Sequence, residues 1–248
     1  MPFMHEMLFP AATVFLGYAV LGVTGFGSAL IIVPLLTWHW PLTEVVTLTL
    51  LLDLPASLLL GGMNRQLIHW QELKRLLPGV VLGALLGLWL AQQLPSRWPV
   101  MALGVYVAGV GMRTLRTSPS QPPALARPWA LIAGGAIGLV EMLFGTAGPL
   151  IVAWLTRRLP DVQVLRASTS AAITVSTCTV LLAMASAGRL SQAELGWRWL
   201  ALVPLAIAGV LAGQHGSRGV SSGRLRKAIA LLLVISGLAL VHHAWSAH

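Results

Sequence analysis

The chain has 248 residues, of which 56% are hydrophobic and only 9% are charged. Soluble domains carry about a quarter charged residues, and disordered chains are rich in charge and poor in apolar residues, so the composition excludes both classes. At about 20 residues per membrane-spanning helix, the chain has room for about eight hydrophobic segments and for no soluble domain. We therefore expect residues 1–248 to form a single transmembrane domain whose function is performed inside the lipid bilayer.

The net charge of +9 does not indicate a nucleic-acid partner. The Lys and Arg residues stand singly or in short groups between apolar runs, a distribution typical of topology signals and not of a basic stripe with interleaved aromatics. The single cysteine, Cys178, excludes an internal disulfide and any cysteine-based metal site. No pair of histidines has a metal-ligand spacing on a predicted helix face, so we expect neither a metal nor a cofactor.

The first hydrophobic segment is too long for one plain crossing. Residues 7–43 carry no charge over 37 positions, nearly twice the length that one crossing needs. Four helix-breaking residues lie near its middle: Gly22, Gly25, Gly27 and Pro34. The pattern predicts a broken helix, either a hairpin that returns from mid-membrane or a single crossing.

Three ordinary spans follow, at 43–62 with Asp53 inside it, at 76–96 and at 98–116. After a connecting loop at 117–127, the same order recurs. A segment of 29 residues at 128–156 contains Glu141 and the breakers Gly145, Gly148 and Pro149. Three more spans are predicted at 167–188, 199–217 and 228–248.

The basic residues test whether the broken segments cross the membrane, because Lys and Arg concentrate on the cytoplasmic side. If all eight segments cross once, eight of the 16 basic residues fall on each side. If the segment at 128–156 is a hairpin, thirteen fall together and only Arg97, Arg189 and Arg198 lie opposite. We therefore predict this hairpin in a multi-pass protein of the cell membrane, the plasma or inner membrane. The loops predicted to be cytoplasmic are 65–75, 113–127, 157–166 and 218–227. The first segment has no flanking basic residue, so this count leaves its crossing open.

An internal repeat divides the chain into two halves, 7–116 and 128–248. The members of the repeat share an offset of 126 positions: Pro78, Gly83, Gly87 and Gly111 recur as Pro204, Gly209, Gly213 and Gly237. The alternative is coincidence, because glycine is frequent in membrane helices. One hairpin and three spans make an odd number of crossings, so the halves must be inverted, as in many secondary transporters. The predicted fold is an all-α integral membrane protein with two homologous, inverted halves.

Two glycine-rich motifs resemble those of a known family. The first half reads Gly22-Val-Thr-Gly25-Phe-Gly27-Ser and continues to Val33-Pro34, and the second reads Phe144-Gly145-Thr-Ala-Gly148-Pro149. With the connection from Asn64 to Trp70 and the sequence Arg166-Ala-Ser-Thr, they resemble the TauE/SafE-type sulfite exporter family, also called the toluene-sulfonate uptake permease family. The resemblance implies transport of small sulfur-containing or organic anions such as sulfite, sulfoacetate and aromatic sulfonates.

Helix N-termini provide the positive potential that an anion needs away from water. In a hairpin the returning arm begins at mid-membrane, so its N-terminus faces the interior. The residues predicted to bind the anion there are Thr24, Gly25, Phe26, Gly27 and Ser28 in the first break, and Gly145, Thr146, Ala147 and Gly148 in the second. Thr146 is the expected cap of the second arm. The alternative is that these glycines serve only close helix packing.

Other candidates are ionisable groups in or beside the spans. Arg166 precedes Ser168 and Thr169 by less than one turn, an arrangement suited to an oxyanion, although Arg166 is equally explained as a topology charge. Glu141 and Asp53 lie within the membrane, where carboxyl groups commonly carry protons. The alternative for each carboxyl is an ion pair with an arginine.

The sequence thus predicts a secondary transporter of a small anion, such as sulfite or a sulfonate, coupled to protons. A passive anion channel remains an alternative, because only saturation and coupling distinguish a channel from a carrier. An intramembrane enzyme is not predicted, because the sequence has no Ser/His pair, His-Glu-x-x-His motif or paired aspartates. A structural membrane protein would explain the small-residue surfaces but not the carboxyls and the broken segments together. The sequence leaves the oligomeric state open.

Overall fold

A computed structural model describes residues 2–62, 65–95, 97–116, 128–190, 193–216 and 222–246. These residues form ten α-helices and no β-strand, in agreement with the predicted all-α class. In chain order the helices are α1 (Pro2–Thr24), α2 (Ser28–Leu36), α3 (Leu42–Gly62), α4 (Trp70–Gln93), α5 (Arg97–Arg116), α6 (Trp129–Phe144), α7 (Gly148–Leu155), α8 (Val162–Ser186), α9 (Ala193–Gly216) and α10 (Ser222–Ser246). Asn64, the predicted connecting loop at 117–127 and positions 218–221 of the last predicted cytoplasmic loop lie outside the described residues.

Within the described ranges, six helices are long and apolar enough to cross a membrane: α1, α3, α4, α5, α8 and α9. Helices α3 and α5 match the predicted spans 43–62 and 98–116 to within one residue. Helices α4, α8, α9 and α10 begin five or six residues before the predicted charge-free spans. In α4 these extra residues include Glu72, Lys74 and Arg75. A helix can continue beyond the hydrocarbon, because its long charged side chains reach water there.

Both long segments are broken where the sequence predicts it, α1 from α2 at Gly25–Gly27 and α6 from α7 at Gly145–Ala147. Gly25, Gly27 and Gly145 have φ angles of 84°, 98° and 66°. A residue with a Cβ atom adopts this left-handed region at a cost of about 1–2 kcal/mol, whereas glycine enters it freely. Gly25 and Gly145 therefore follow the ends of α1 and α6, and Gly27 precedes α2, in a backbone conformation that glycine favours.

Residues near the two ends of the first broken segment are in contact, and residues near the two ends of the second belong to one cluster. Phe9, early in α1, stacks on His39, which follows α2, with the ring centroids 4.9 Å apart. In the second segment, Ala130 at the start of α6 and Trp154 at the end of α7 belong to one buried cluster with Leu73 of α4. Helices α2 and α7, which we call the short arms, contact α1 and α6 respectively.

Glycines bring helices of the two predicted halves into backbone contact. A Cβ at Gly83 of α4 would lie 2.0 Å from the carbonyl oxygen of Gly135 in α6. A Cβ at Gly209 of α9 would lie 2.5 Å from the carbonyl oxygen of Phe15 in α1. Helix α4 therefore packs on α6, and α9 on α1, through small-residue surfaces. Helix α5 packs on α10, and α3 on α8.

The outer surface is apolar, as a bilayer requires. On α4, Leu82, Leu85, Leu86 and Trp89 are all exposed. Contiguous apolar surface of this kind is rare on soluble monomers. The folded chain is therefore a multi-pass helical membrane protein.

Candidate functional site

The two helix breaks touch each other in the interior of the molecule. A Cβ at Gly148, the first residue of α7, would lie 3.1 Å from the Cβ of Phe26 and 3.6 Å from the backbone nitrogen of Gly27. Ser28, which follows Gly27, begins α2. The N-terminal ends of the two returning arms therefore meet.

A small buried cavity lies at this meeting point. Its volume is about 20 Å³, which is enough for about one water molecule. Eight of its lining residues are among those the sequence singles out: Gly27, Ser28, Asp53, Glu141, Gly145, Thr146, Ala147 and Gly148. The structure therefore brings both breaks and both carboxyl groups together around one space, which we call the central cavity.

Asp53 ties three helices together at the central cavity. It lies in α3, and its Oδ1 accepts hydrogen bonds from the Tyr18 hydroxyl of α1 at 2.8 Å and from the Ser28 hydroxyl of α2 at 2.9 Å. All three residues are at least 94% buried. A hydrogen-bonded carboxyl group is far less costly to bury than a bare one, so these hydroxyls allow Asp53 to be held inside the fold.

Glu141 is less completely satisfied. It lies one turn before Gly145 in α6, and its Oε1 accepts a hydrogen bond from the Thr177 hydroxyl of α8 at 2.7 Å. Its Oε2 is buried and has no hydrogen-bond partner. Glu141 therefore keeps one oxygen available for a proton or a ligand.

The first residues of both short arms lack side-chain caps. The N-cap of α2 is Gly27 and that of α7 is Ala147, and neither makes a side-chain capping bond. The expectation that Thr146 caps α7 is therefore wrong, because the helix begins one residue later. Helix N-termini carry partial positive charge, and the starts of α2 and α7 both border the central cavity.

Thr24 stabilises the first break from outside the central cavity. Its hydroxyl accepts a hydrogen bond from the Phe26 N–H at 3.3 Å and donates one to the Val20 carbonyl at 2.8 Å. Gly25 provides the turn, and the Phe26 side chain packs against Gly148. These three predicted site residues shape the break and do not line the cavity.

Arg166, Ser168 and Thr169 also lie away from the central cavity. Arg166 is exposed, and its Nη2 donates a hydrogen bond to the Val23 carbonyl near the end of α1 at 2.9 Å. The Ser168 hydroxyl accepts a hydrogen bond from the His69 backbone N–H at 2.9 Å, and the Thr169 hydroxyl is buried without a partner. Of the three side chains, only that of Arg166 hydrogen-bonds to a helix that ends at a break.

The sequence did not predict Tyr18, whose hydroxyl donates to Asp53, or Thr177, whose hydroxyl donates to Glu141. Tyr18 carried one usable signal, because a tyrosine inside a membrane segment, away from the interface, needs a partner for its hydroxyl. Thr177 is one of many Ser and Thr residues in α8, so nothing in the sequence distinguishes it. Among the described residues, no three His, Cys, Asp or Glu side chains are grouped to hold a metal ion.

Broken helices that meet inside a helical membrane protein, with ionisable groups beside them, define a class of protein: membrane transporters. Over residues 10–240 the chain matches the family described as Sulfite exporter TauE/SafE. The chain belongs to this family, as its motifs indicate, and it is a transporter and not an enzyme. It is 42% identical over 200 residues to the probable inner membrane transporter protein TsaS of Comamonas testosteroni, covering 80% of this chain and 83% of that relative. No solved structure matches it significantly.

Proposed function

We propose that the protein is a proton-coupled carrier of small oxyanions such as sulfite or a sulfonate. The observation that carries the proposal is the central cavity, where the N-terminal ends of α2 and α7 meet beside Asp53 and Glu141. The family description and the name of the relative support an anion substrate and an inner-membrane location.

The anion binds between the two arms. Each helix N-terminus contributes roughly half a positive charge through its free N–H groups, and the two ends face one space. Two half charges on fixed backbone groups attract an oxyanion without the strong grip of a paired arginine. The predicted ligand groups are the first-turn N–H groups of α2 and the Gly148 N–H of α7, with the Ser28 and Thr146 hydroxyls beside them; Pro149 has no N–H, and the Leu150 N–H donates to the Ala147 carbonyl.

Protons accompany the anion because of the two carboxyl groups. The described lining of the central cavity contains no Lys, Arg or His, so neither carboxyl group has a cationic partner there. An oxyanion placed next to two carboxylates would be repelled. Each carboxyl that takes up a proton removes one negative charge, so anion entry and proton uptake favour each other. Glu141 is the leading proton carrier, since its Oε2 has no partner.

The closed central cavity supports a carrier over a passive channel. At about 20 Å³ it is too small for sulfite, because that volume corresponds to about one water molecule. Helices α2 and α7 must therefore separate to admit the substrate. A passive channel in its conducting state needs a continuous path for the ion, and this state has none at the central cavity.

Both broken segments are re-entrant hairpins in this proposal, including the first, which the charge count leaves open. The stacking of Phe9 on His39 and the shared cluster of Ala130 and Trp154 support a return to the starting side in each case. The arms α2 and α7 have nine and eight residues, about 12–14 Å at 1.5 Å per residue. That length is less than half of the hydrocarbon core.

The two halves are an inverted repeat in this proposal. At an offset of 120 positions, Gly25 with φ 84° corresponds to Gly145 with φ 66°, and the helix starts at Ser28 and Leu42 correspond to those at Gly148 and Val162. The contacts between helices repeat as well, because the contact of α4 with α6 corresponds to the contact of α9 with α1.

The two hairpins open at different places. The first opens beside the start of α9, where Arg198 lies over Trp40, and the second opens beside the start of α4. Helices α4, α5 and α8 cross between these starts, so the hairpins open on opposite faces.

The face at the start of α4 is cytoplasmic in this proposal. Glu72 binds both Arg75 and Arg158, so the basic groups at 65–75 and 157–166 lie on one side of the molecule. This juxtaposition supports the predicted bias of thirteen basic residues on one face, where positive charge is favoured.

Transport by purified protein in proteoliposomes tests the function. We expect saturable uptake of sulfite or of a sulfonate, increased by an inward proton gradient and absent from protein-free vesicles. Non-saturating flux that ignores the gradient would indicate a passive channel. Folded protein that moves none of sulfite, thiosulfate, sulfoacetate, taurine and an aromatic sulfonate would contradict the sulfur-anion assignment.

The Glu141→Gln variant tests the coupling. The amide keeps the shape and the Thr177 contact but holds no exchangeable acidic proton, so we expect gradient-driven accumulation to fall to the level of protein-free vesicles. The matched control is Asp161→Asn, which neutralises the exposed carboxyl that caps α8. This control leaves the helix intact, because asparagine caps a helix equally well. Loss of folded protein in Glu141→Gln would point instead to a structural role, and normal accumulation would remove Glu141 from the mechanism.

A further inference from the structure

A second and much larger cavity opens on the face opposite Glu72 and its ion-pair partners Arg75 and Arg158. Its volume is about 610 Å³. It is lined by residues around the start of α3, the connection from α4 to α5 and the end of α8. We call it the outer vestibule.

The outer vestibule ends one layer of residues from the second helix break. Val46 lines the vestibule, and its Cα lies 3.5 Å from the position of a Cβ at Gly145. Met142, one turn before the central cavity's Thr146, lines the vestibule as well. A single layer of residues that includes Val46 of α3 therefore separates the vestibule from Gly145, which lines the central cavity.

Two arginines of the outer vestibule have no carboxylate partner within the described chain. Arg97 and Arg189 both line it and are half-buried, and neither takes part in a salt bridge. The Arg97 Nε is buried without a hydrogen-bond partner, and its guanidinium lies 5.7 Å from the centroid of the Trp245 ring. Arg198, on the same face, differs, because its Nη1 lies 2.9 Å from the Glu44 Oε2 and its guanidinium covers the Trp40 ring at 4.4 Å.

The placement of these arginines is unusual for a membrane protein. Only Arg97, Arg189 and Arg198 of the 16 basic residues lie on the predicted non-cytoplasmic face, where the positive-inside bias disfavours them. Arg198 has a structural partner, and the remaining two line one cavity. Two guanidinium groups without a carboxylate partner among the described residues, in a half-enclosed space, are a strong attraction for an oxyanion.

Two threonine hydroxyls of the outer vestibule do not compete for this role. The Thr37 and Thr47 hydroxyls donate their hydrogens to the Val33 and Thr43 carbonyls of their own helices. The rest of the wall contains apolar side chains, among them Val100 and Met184. The chemistry of the cavity is therefore a positive charge pair beside an apolar wall.

We propose that the outer vestibule is a recruiting site for oxyanions, in which Arg97 and Arg189 bind the charged head and the apolar wall contacts an organic body. This site is separate from the central cavity, and its role in transport rests on the proposed function. It raises the local concentration of substrate at the mouth of the carrier, as a positively charged cleft does for an anion.

Calorimetric titration of the purified chain with benzenesulfonate, methanesulfonate and sulfate tests the site. We expect benzenesulfonate to bind most tightly. We expect Arg97→Gln and Arg189→Gln each to weaken it about tenfold, and the double variant about a hundredfold, since charge-assisted hydrogen bonds are the strong ones. Arg116→Gln, at the exposed far end of α5, is the matched control and leaves the affinity unchanged. Arg97→Lys and Arg189→Lys retain the charge and recover part of the affinity.

The outcomes separate the outer vestibule from the transport mechanism. Benzenesulfonate binding that survives in Glu141→Gln, while transport is lost, supports two distinct sites. An affinity that the Gln variants leave unchanged, with folding verified by thermal unfolding, would overturn the proposal even if wild-type transport is normal. Equal affinity for sulfate and benzenesulfonate would overturn the contact with an organic body. Vestibule binding without any transport by the wild type would contradict the proposed function and leave the vestibule site standing.

Discussion

Two buried tyrosine hydroxyls in this protein have opposite surroundings. The Tyr18 hydroxyl donates to the Asp53 carboxyl at 2.8 Å, whereas the Tyr106 hydroxyl is buried with no hydrogen-bond partner. Removing one member of a buried hydrogen bond leaves the other unsatisfied, and hydrogen bonds to charged groups are worth more than neutral ones. Tyr18 therefore stabilises the fold through Asp53, and Tyr106 through its ring alone.

This contrast gives a prediction with its own control. We expect Tyr18→Phe to lower the free energy of unfolding by about 1–3 kcal/mol, because Asp53 loses a donor in a buried site. Tyr106→Phe removes a hydroxyl that has no partner, so it leaves stability unchanged or raises it. Denaturant unfolding of both variants in one detergent measures the difference. Equal destabilisation by the two variants would show that the hydrogen bond to Asp53 contributes nothing.

The importance of Glu141 and Asp53 follows from the sequence alone, because an ionisable group within an apolar segment is costly to keep. Their partners do not follow. Tyr18 is 35 positions from Asp53 and Thr177 is 36 from Glu141, so each pairing depends on how two helices are aligned after the breaks have formed. The hydrophobic pattern does not specify that alignment, since α1 and α8 present hydroxyl groups on several faces.

At the scale of helices, close packing depends on a few glycines. Gly83 of α4 faces the backbone of α6 so closely that a Cβ would lie 2.0 Å from the Gly135 carbonyl oxygen. Gly109 lies inside α5, and a Cβ there would have nothing within 4 Å. Glycine is therefore required at position 83 for close contact between helices, whereas position 109 has no steric need for it.

We expect Gly83→Ala to destabilise the protein by about 3 kcal/mol or more, because the backbones of α4 and α6 must separate and overpacking has no flexible side chain to absorb it. Gly109→Ala is the matched control and stabilises by about 0.5–1 kcal/mol, the gain of alanine over glycine in a helix. Thermal unfolding in detergent compares the two. A Gly83→Ala variant as stable as the wild type would contradict the direct contact of α4 with α6.

The helix breaks are predictable, and the helix ends are not. Gly25, Gly27 and Gly145 interrupt the helices by their left-handed backbone conformation. This effect is local to the glycine residue, so it can be predicted from the sequence. The start of α4 at Trp70 is different, because Glu72 continues the helix and forms an ion pair with Arg158, three residues after the end of α7. A charged residue in the sequence therefore marks where the part of a span inside the hydrocarbon ends. It does not mark where the helix ends, because the length of the helix also depends on ion pairs with other segments.

At the scale of the whole molecule, the proposed repeat has symmetric helices and asymmetric chemistry. With the offset of 120 positions that relates the breaks, Asp53 corresponds to Ile173 and Glu141 to Leu21, and all four line the central cavity. The earlier offset of 126 holds for α4 and α9, because α8 has 25 residues and α3 has 21. A search at one fixed offset therefore detects the packing glycines and misses the equivalence of the breaks.

The inverted arrangement predicts which positions face the same side of the membrane. In a Cys178→Ser background, single cysteines at Leu8 and His39 flank the first hairpin, and those at Trp129 and Gln163 flank the second, all at exposed positions. If both segments re-enter and open on opposite faces, a membrane-impermeant thiol reagent labels the first pair from one side and the second pair from the other. A segment that crosses once would instead split its own pair between the two sides, because α1 with α2, or α6 with α7, would then connect opposite surfaces. Labelling of whole cells compared with inverted membrane vesicles distinguishes the two arrangements. A split in either pair would refute the hairpin for that segment, and labelling of all four positions from one side would refute the inversion while leaving both hairpins in place.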